Sequence, residues 1–237
     1  MIYVYALIDP SHAAKPEMRG LHDRPVQMLR SEGIAAMYTE TDAPIAATPE
    51  NLWRHEQVVE SFMPEPSIAI LPARFGTTFN SHNDAVDVLS RHRDVLAPAL
   101  EEVRGCVEIG LRITAREPSL AAPPQLIAAS GREYMLARLA DEHARRSCKE
   151  RAAQLAAKVN SQLAPLARRH HLHENPAPPM LMNGAYLVAR DRTSHFTSHV
   201  NQFAAAHSDV NMLCTGPWPP YHFAPSLFVE EALHACS

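Results

Sequence analysis

Gly105-Cys-Val-Glu-Ile-Gly-Leu-Arg-Ile-Thr114 is the stretch on which the reading of the fold turns. Val107, Ile109, Leu111 and Ile113 alternate with Glu108, Arg112 and Thr114, the period-two pattern of a strand with one buried and one wet face. Upstream, Ile2-Tyr-Val-Tyr-Ala-Leu-Ile8 is apolar throughout and ends at Asp9-Pro10, so it reads as a buried strand. Val26 to Leu29 and Ile34 to Tyr38 flank Ser31-Glu32-Gly33, a hairpin signal. Thr48-Pro49 supplies an N-cap and a first-turn proline for a helix whose apolar face is Leu52, Val59 and Phe62, with Val58 and Met63 beside them. Ser67 to Leu71 is a second short strand. Ser81-x-x-Asp84 opens a helix carrying Val86, Leu89, Leu96, Leu100 and Val103, which Pro98 kinks.

Strand, hairpin, helix, strand, helix, strand is satisfied by an open sheet with helices on one face, a ferredoxin-like split βαβ arrangement over residues 1–117. Residues 118–130 hold Pro118, Pro123 and Pro124 among Ala, Ser and Leu, and read as the connection between two domains. Residues 131–237 form a second α+β domain. A long helix runs from Gly131 to about Ala164, with Leu155, Val159, Leu163 and Leu166 as its buried stripe and Pro165 at its end. Arg168 to His173 and Pro176 to Pro179 read as a turn, and Leu181 to Val188 as a strand. Asp191 caps a helix bearing Phe196, Val200 and Phe203, and Val210 to Cys214 is a last strand. The sequence carries no internal repeat, although each half accommodates a related sheet-and-helix unit.

Composition excludes several functions. The 237 residues hold 20 Pro and 8 Gly, an inverted ratio that leaves few positions free for φ > 0. No two glycines form G-x-G, and Gly105 and Gly110 are followed by Leu111-Arg112 rather than Lys-Ser/Thr, so the common phosphate-cradling loops are absent. A net charge of −4 gives no basic stripe for nucleic acid. Cys106, Cys148, Cys214 and Cys236 are widely spaced and read as free thiols of a reducing cytoplasm. The uncharged run from Val210 to Val229 contains Pro217, Pro219, Pro220 and Pro225 and is no membrane helix.

The candidates for chemistry are thin. His195 and His199 stand at i, i+4, but Phe196 occupies the position where a zinc protease has Glu, and no third ligand follows. His170, His171 and His173 read as solvated charge near a helix end, and Glu56 and Glu60, beside His55, as the wet face of the first helix. Only Cys148, between Arg146 and Lys149, has a basic setting for a thiolate. No catalytic, cofactor or metal residue is expected.

Two segments stand out. Leu71-Pro-Ala-Arg-Phe-Gly-Thr77 sets one Arg, one ring and a glycine in a tight turn. Thr215-Gly-Pro-Trp-Pro-Pro-Tyr221 is a rigid, extended piece with two large amphipathic rings, which either dock on their own domain or face a partner. Together with Ile2-Tyr3-Val4-Tyr5, Asn51-Leu-Trp-Arg-His-Glu56, Gly105-Cys-Val-Glu108, Gly131-Arg-Glu-Tyr-Met135 and the continuation to Phe223, these segments fall in the order in which the GvpF/GvpL gas vesicle proteins carry similar motifs, and the chain resembles that family over most of its length. Ala73 departs from the pattern, where a bulkier residue is usual.

The resemblance implies a two-domain α+β protein, located in the cytoplasm and at the gas vesicle, with an accessory or minor structural role in building the vesicle. It implies the small hydrophobic shell protein GvpA and other accessory gas vesicle proteins as partners, with neither nucleic acid nor lipid membrane among them. No enzymatic activity and no cofactor belong to that expectation. Arg74, Phe75, Trp218 and Tyr221 are the residues expected to meet a partner. The competing reading is a ferredoxin-like protein that binds or transforms a small ligand, which requires a pocket of converging polar groups.

Overall fold

A computed structural model describes residues 1–10, 18–65, 68–116, 130–173 and 180–225. It divides into two compact units, Met1–Glu108 with Pro217–Ser237, and Ile109–Gly216. This partition differs from the one read along the sequence. The alternating strand that closes the first half in sequence opens the second unit, because its neighbours in the sheet lie further along the chain, and the segment from Pro217 returns to the first unit. The expected connection lies, apart from Ser130, outside the described residues.

In the first unit, β1 (Ile2–Ile8) is central. The hairpin β2 (Gln27–Ser31) and β3 (Ile34–Glu40) turns on Glu32 and Gly33, both at positive φ, the backbone that a two-residue hairpin loop demands. Helix α1 (Pro49–Glu60) follows, capped by the Thr48 hydroxyl accepting from the Asn51 amide. The short strands β4 (Ile70–Pro72) and β5 (Thr78–Phe79) come next. The order is β2-β3-β1-β4, with β5 also on β1, and β1 runs antiparallel to β3, β4 and β5. β1 therefore lies between the two strands that α1 joins, the split βαβ expected. Where a ferredoxin-like fold carries its first helix, between β1 and β2, the described residues hold a single 3-10 turn, Leu21–Asp23.

All seven residues of β1 are buried, and a strand without alternation needs cover on both faces. Helix α1 covers one, packing Val58 and Val59, with Phe62 just past its end, on Tyr3, Tyr5, Ala6 and Ile8 with Ala35 and Met37. A register shift between Val4 and Ala6 lets Tyr5 and Ala6 share that side. Ser31 and Tyr38 point the other way and meet α2 (His82–Arg91), at 3.0 Å from Ser90 Oγ and 3.0 Å from His82 Nε2. The helices thus occupy both faces of the sheet rather than the one expected. The continuous helix read to Val103 is two: α2 stops at His92 and α3 (Arg93–Val103) restarts, about a turn before Pro98, whose ring nitrogen cannot supply the Asp94 carbonyl with a donor.

The second unit is built from β6 (Cys106–Ala115), the 33-residue α4 (Gly131–Leu163), β7 (Arg169–Leu172), β8 (Met180–Ala189), α5 (Thr193–Ala206) and β9 (Val210–Trp218). Its order, β7-β8-β6-β9, is position for position that of the first sheet. Here the first crossover is a real helix, so this unit is the fuller ferredoxin-like arrangement. The polar Arg168–His173 segment, read as a turn, contains strand β7: pairing with β8 outweighs its low strand propensity, and an edge strand tolerates polar side chains. Asp191 does not cap α5; it lies in a 3-10 turn, Arg190–Arg192, from which the helix continues. Strand β9 runs four residues beyond the Cys214 expected, into the proline-aromatic segment.

Candidate functional site

Strand β1, helix α1, the turn after β4 and the returning terminal segment converge in the first unit. His55 is buried because it stands one turn before Val58, Val59 and Phe62 on the packing side of α1. Its Nε2 lies 3.1 Å from the Ala73 carbonyl, which only accepts, so Nε2 carries the proton and Nδ1 accepts from the Tyr3 hydroxyl at 2.8 Å. The Gly76 amide donates to the same hydroxyl at 3.3 Å. Burial pulls the His55 pKa down to about 4, keeping the ring neutral, and pushes the Tyr3 phenol up. Phe75 seats against both rings, 5.7 Å from Tyr3 and 5.8 Å from His55 between centroids.

The terminal segment attaches alongside. Pro219 and Pro220 are buried, Tyr221–Phe223 forms a 3-10 turn, and Phe223 is buried. The Tyr221 hydroxyl donates to Glu56 Oε1 at 2.9 Å, and desolvation raises the Glu56 pKa against the lowering effect of that bond. One residue on, the His222 amide and Nδ1 reach the two carboxylate oxygens of buried Glu108 at 2.9 and 2.6 Å. Glu56 is thus engaged by a tyrosine rather than paired with exposed Glu60 for acid–base work.

The four residues singled out in the sequence separate. Tyr221 is an anchor, partly buried against the core, and Phe75 is half-buried beside it in the same cluster. Arg74 and Trp218 are exposed, Trp218 to 45%. The sequence reading set His55 beside the wet face of the helix, although its i, i+3, i+4 relation to Val58 and Val59 signals burial. It also counted Leu52 as core, whereas Leu52 and Trp53 are exposed, Trp53 to 62%.

The other candidates stay apart. The His195 and His199 rings are 4.4 Å between centroids, and His199 Nδ1 bonds the His195 carbonyl at 3.0 Å. Among the described residues no three His, Cys, Asp or Glu gather to hold a metal ion. Cys106 is buried, burial raises the pKa of Cys214, and the Cys148 side chain and Cys236 lie outside the description. No helix among the described residues is long and apolar enough to cross a membrane.

The two α+β units share one strand order, and an aromatic segment from the end of the described chain packs back on the first. The family model described as gas vesicle synthesis protein GvpL/GvpF matches residues 1–225, and the chain belongs to that family. Gas vesicle protein L of Streptomyces sp. (strain CB03234) is 30% identical over 98% of this chain and 95% of its own. Gas vesicle protein F2 of Halobacterium salinarum is 23% identical over 94% and 91%. The crystal structures of GvpF from Microcystis aeruginosa and from Anabaena sp. PCC7120 share the fold, with TM-scores of 0.72 and 0.75 at 19% and 23% identity. They cover 94% of this chain in each case, and 98% and 95% of their own. A gas vesicle role follows from the membership.

Proposed function

We propose that this chain is a non-enzymatic assembly accessory or minor structural protein of the gas vesicle, acting in the cytoplasm and at the vesicle. It binds the small hydrophobic shell protein GvpA, acts with other accessory gas vesicle proteins and helps nucleate or assemble the wall. A shell protein that builds an apolar-lined wall exposes aggregation-prone surface before assembly, and a partner that covers it keeps it productive. The observation that carries this reading is the division of labour in the terminal segment. Tyr221 is fixed on Glu56 while Trp218, three residues earlier, stays exposed, so a rigid proline-linked piece presents a ring at little entropic cost. Arg74 and Phe75 complete the proposed surface, and the short edge strand β2 offers a second mode, strand addition.

The test is capture of the shell protein by the full chain, comparing wild type with Trp218→Ala and Arg74→Ala. Binding that weakens at least tenfold in Trp218→Ala, with an unchanged thermal midpoint, supports the reading. Absence of capture by wild type, or capture unaltered in both variants, overturns it.

A further inference from the structure

The two units carry opposite charge. Met1–Glu108 with Pro217–Ser237 holds nine Lys and Arg against eighteen Asp and Glu, a net −9, whereas Ile109–Gly216 holds thirteen against eight, a net +5. The modest −4 of the whole chain conceals this contrast.

Each charge excess surfaces beside an exposed apolar side chain. In the second unit, Leu111 and Ile113 of β6 are buried, and Arg112 and Arg116 stand exposed on the alternate row. Next to that row lies β9: a Cβ on Gly110 would sit 2.7 Å from the Thr215 hydroxyl, and Arg116 Nε is 3.1 Å from Asn211 Oδ1. This register sets Leu213, 55% exposed, beside Arg112. On the far side of β8, His170 stacks on Tyr186 towards α4, so Arg169 and His171 of β7 point the other way, both exposed. The carboxylate at the margin, Asp209, is already paired with Arg151 at 2.7 Å.

In the first unit, Glu50, Trp53, Gln57 and Glu60 fall at i, i+3, i+7 and i+10 on α1, one stripe with an exposed indole between two exposed carboxylates. Glu50 and Glu60 are about 15 Å apart along the helix, at 1.5 Å per residue. Arg112 and Arg116 are about 14 Å apart along the strand, at 3.4 Å per residue. An apolar centre flanked by charge is the anatomy of a specific interface, and here the two halves are opposite in sign and alike in spacing and centre.

We propose that this protein associates with itself head to tail, the Glu50–Trp53–Glu60 stripe of α1 in one copy seating on the Arg112–Leu213–Arg116 surface of a second. Because the surfaces differ, the contact is heterologous: in a pair, one copy keeps its basic surface free and the other its α1, so further copies add at either end. The inference is independent of the shell-protein reading, and neither result decides the other.

The test is sedimentation velocity of the full chain over a concentration series, with a charge-exchange pair of variants, Arg112→Glu/Arg116→Glu and Glu50→Lys/Glu60→Lys. All four positions are solvent-exposed, and circular dichroism checks the fold. Wild type associates at about 0.01 M salt and dissociates towards about 0.1 M, as the Debye length falls from ~30 to ~10 Å. Each variant alone associates at least tenfold more weakly, and an equimolar mixture regains association, since the first retains its acidic helix and the second its basic surface. Monomeric wild type at low salt, association that ignores salt, association that persists in either variant, or a mixture that stays monomeric overturns the proposal.

Discussion

The Tyr221 hydroxyl donates to Glu56 across 2.9 Å and 165 positions of sequence, tying the end of the described chain to its first long helix. Glu56 follows His55, which holds the Ala73 carbonyl and the Tyr3 hydroxyl. Four of the six family-like motifs are therefore not separate surface signatures. Strand, helix, turn and terminal segment meet in one hydrogen-bonded cluster whose inner members are buried and neutral, and whose outer members, Arg74 and Trp218, are exposed.

Removing the Tyr221 hydroxyl isolates the tie. Tyr221→Phe keeps the ring and leaves a half-buried carboxylate without its donor, at a cost of about 1–2 kcal/mol. The bond favours ionised Glu56, so the deficit is full above the Glu56 pKa and shrinks as acid protonates it. Urea midpoints of wild type and variant at neutral and acid pH read the difference. A deficit that grows on acidification contradicts the bond.

His55 makes a second pH-dependent contribution, of opposite origin. Its pKa falls from 6.5 to about 4 in the folded chain, so between those values the unfolded chain binds a proton that the native ring refuses. Stability from this group is therefore complete above pH 6.5 and lost as pH drops towards 4, by up to about 3 kcal/mol. His55→Gln keeps a donor for Ala73 and cannot titrate. It is less stable than wild type at neutral pH, and the gap narrows across that window; parallel curves for the two proteins would exclude a buried neutral His55.

What the sequence made legible was what a local pattern encodes. Ile2–Ile8, Ile34–Glu40 and Cys106–Ala115 are strands because their apolar runs have no other use, and the capped starts of α1 and α2 are where hydroxyl-bearing residues precede them. Strand β7 was hidden because Arg169 to Leu172 becomes a strand only through β8. Helices on one face were the expectation, and the unbroken burial of β1 overturns it; nothing local in the sequence said which helix takes which side. The candidate site was half legible. The terminal segment either docks or presents its rings, and it does both, Tyr221 inward and Trp218 outward, a choice made by Glu56 on a distant helix. The charge contrast between the units stayed invisible until their boundaries were known, since a sum over the chain cancels it.

Two glycines, one in each unit, give substitutions of opposite sign. At Gly20 an added Cβ would lie 2.2 Å from the Tyr5 hydroxyl and 3.1 Å from Val26 Cγ2. Tyr5 cannot yield freely, because its ring is fully buried in the α1 core and its hydroxyl accepts the Leu21 amide at 2.8 Å. Gly20→Ala therefore forces the turn away from β1 and costs about 1–3 kcal/mol, the usual penalty for overpacking. At Gly131, the first residue of α4, nothing lies within 4 Å of an added Cβ. Gly131→Ala restricts the unfolded chain and raises helix propensity, for a gain of up to about 1 kcal/mol. The two midpoints should move in opposite directions in the same denaturant titration. A neutral Gly20→Ala means that Tyr5 and the Leu21 turn are not held together as tightly as the 2.8 Å bond requires.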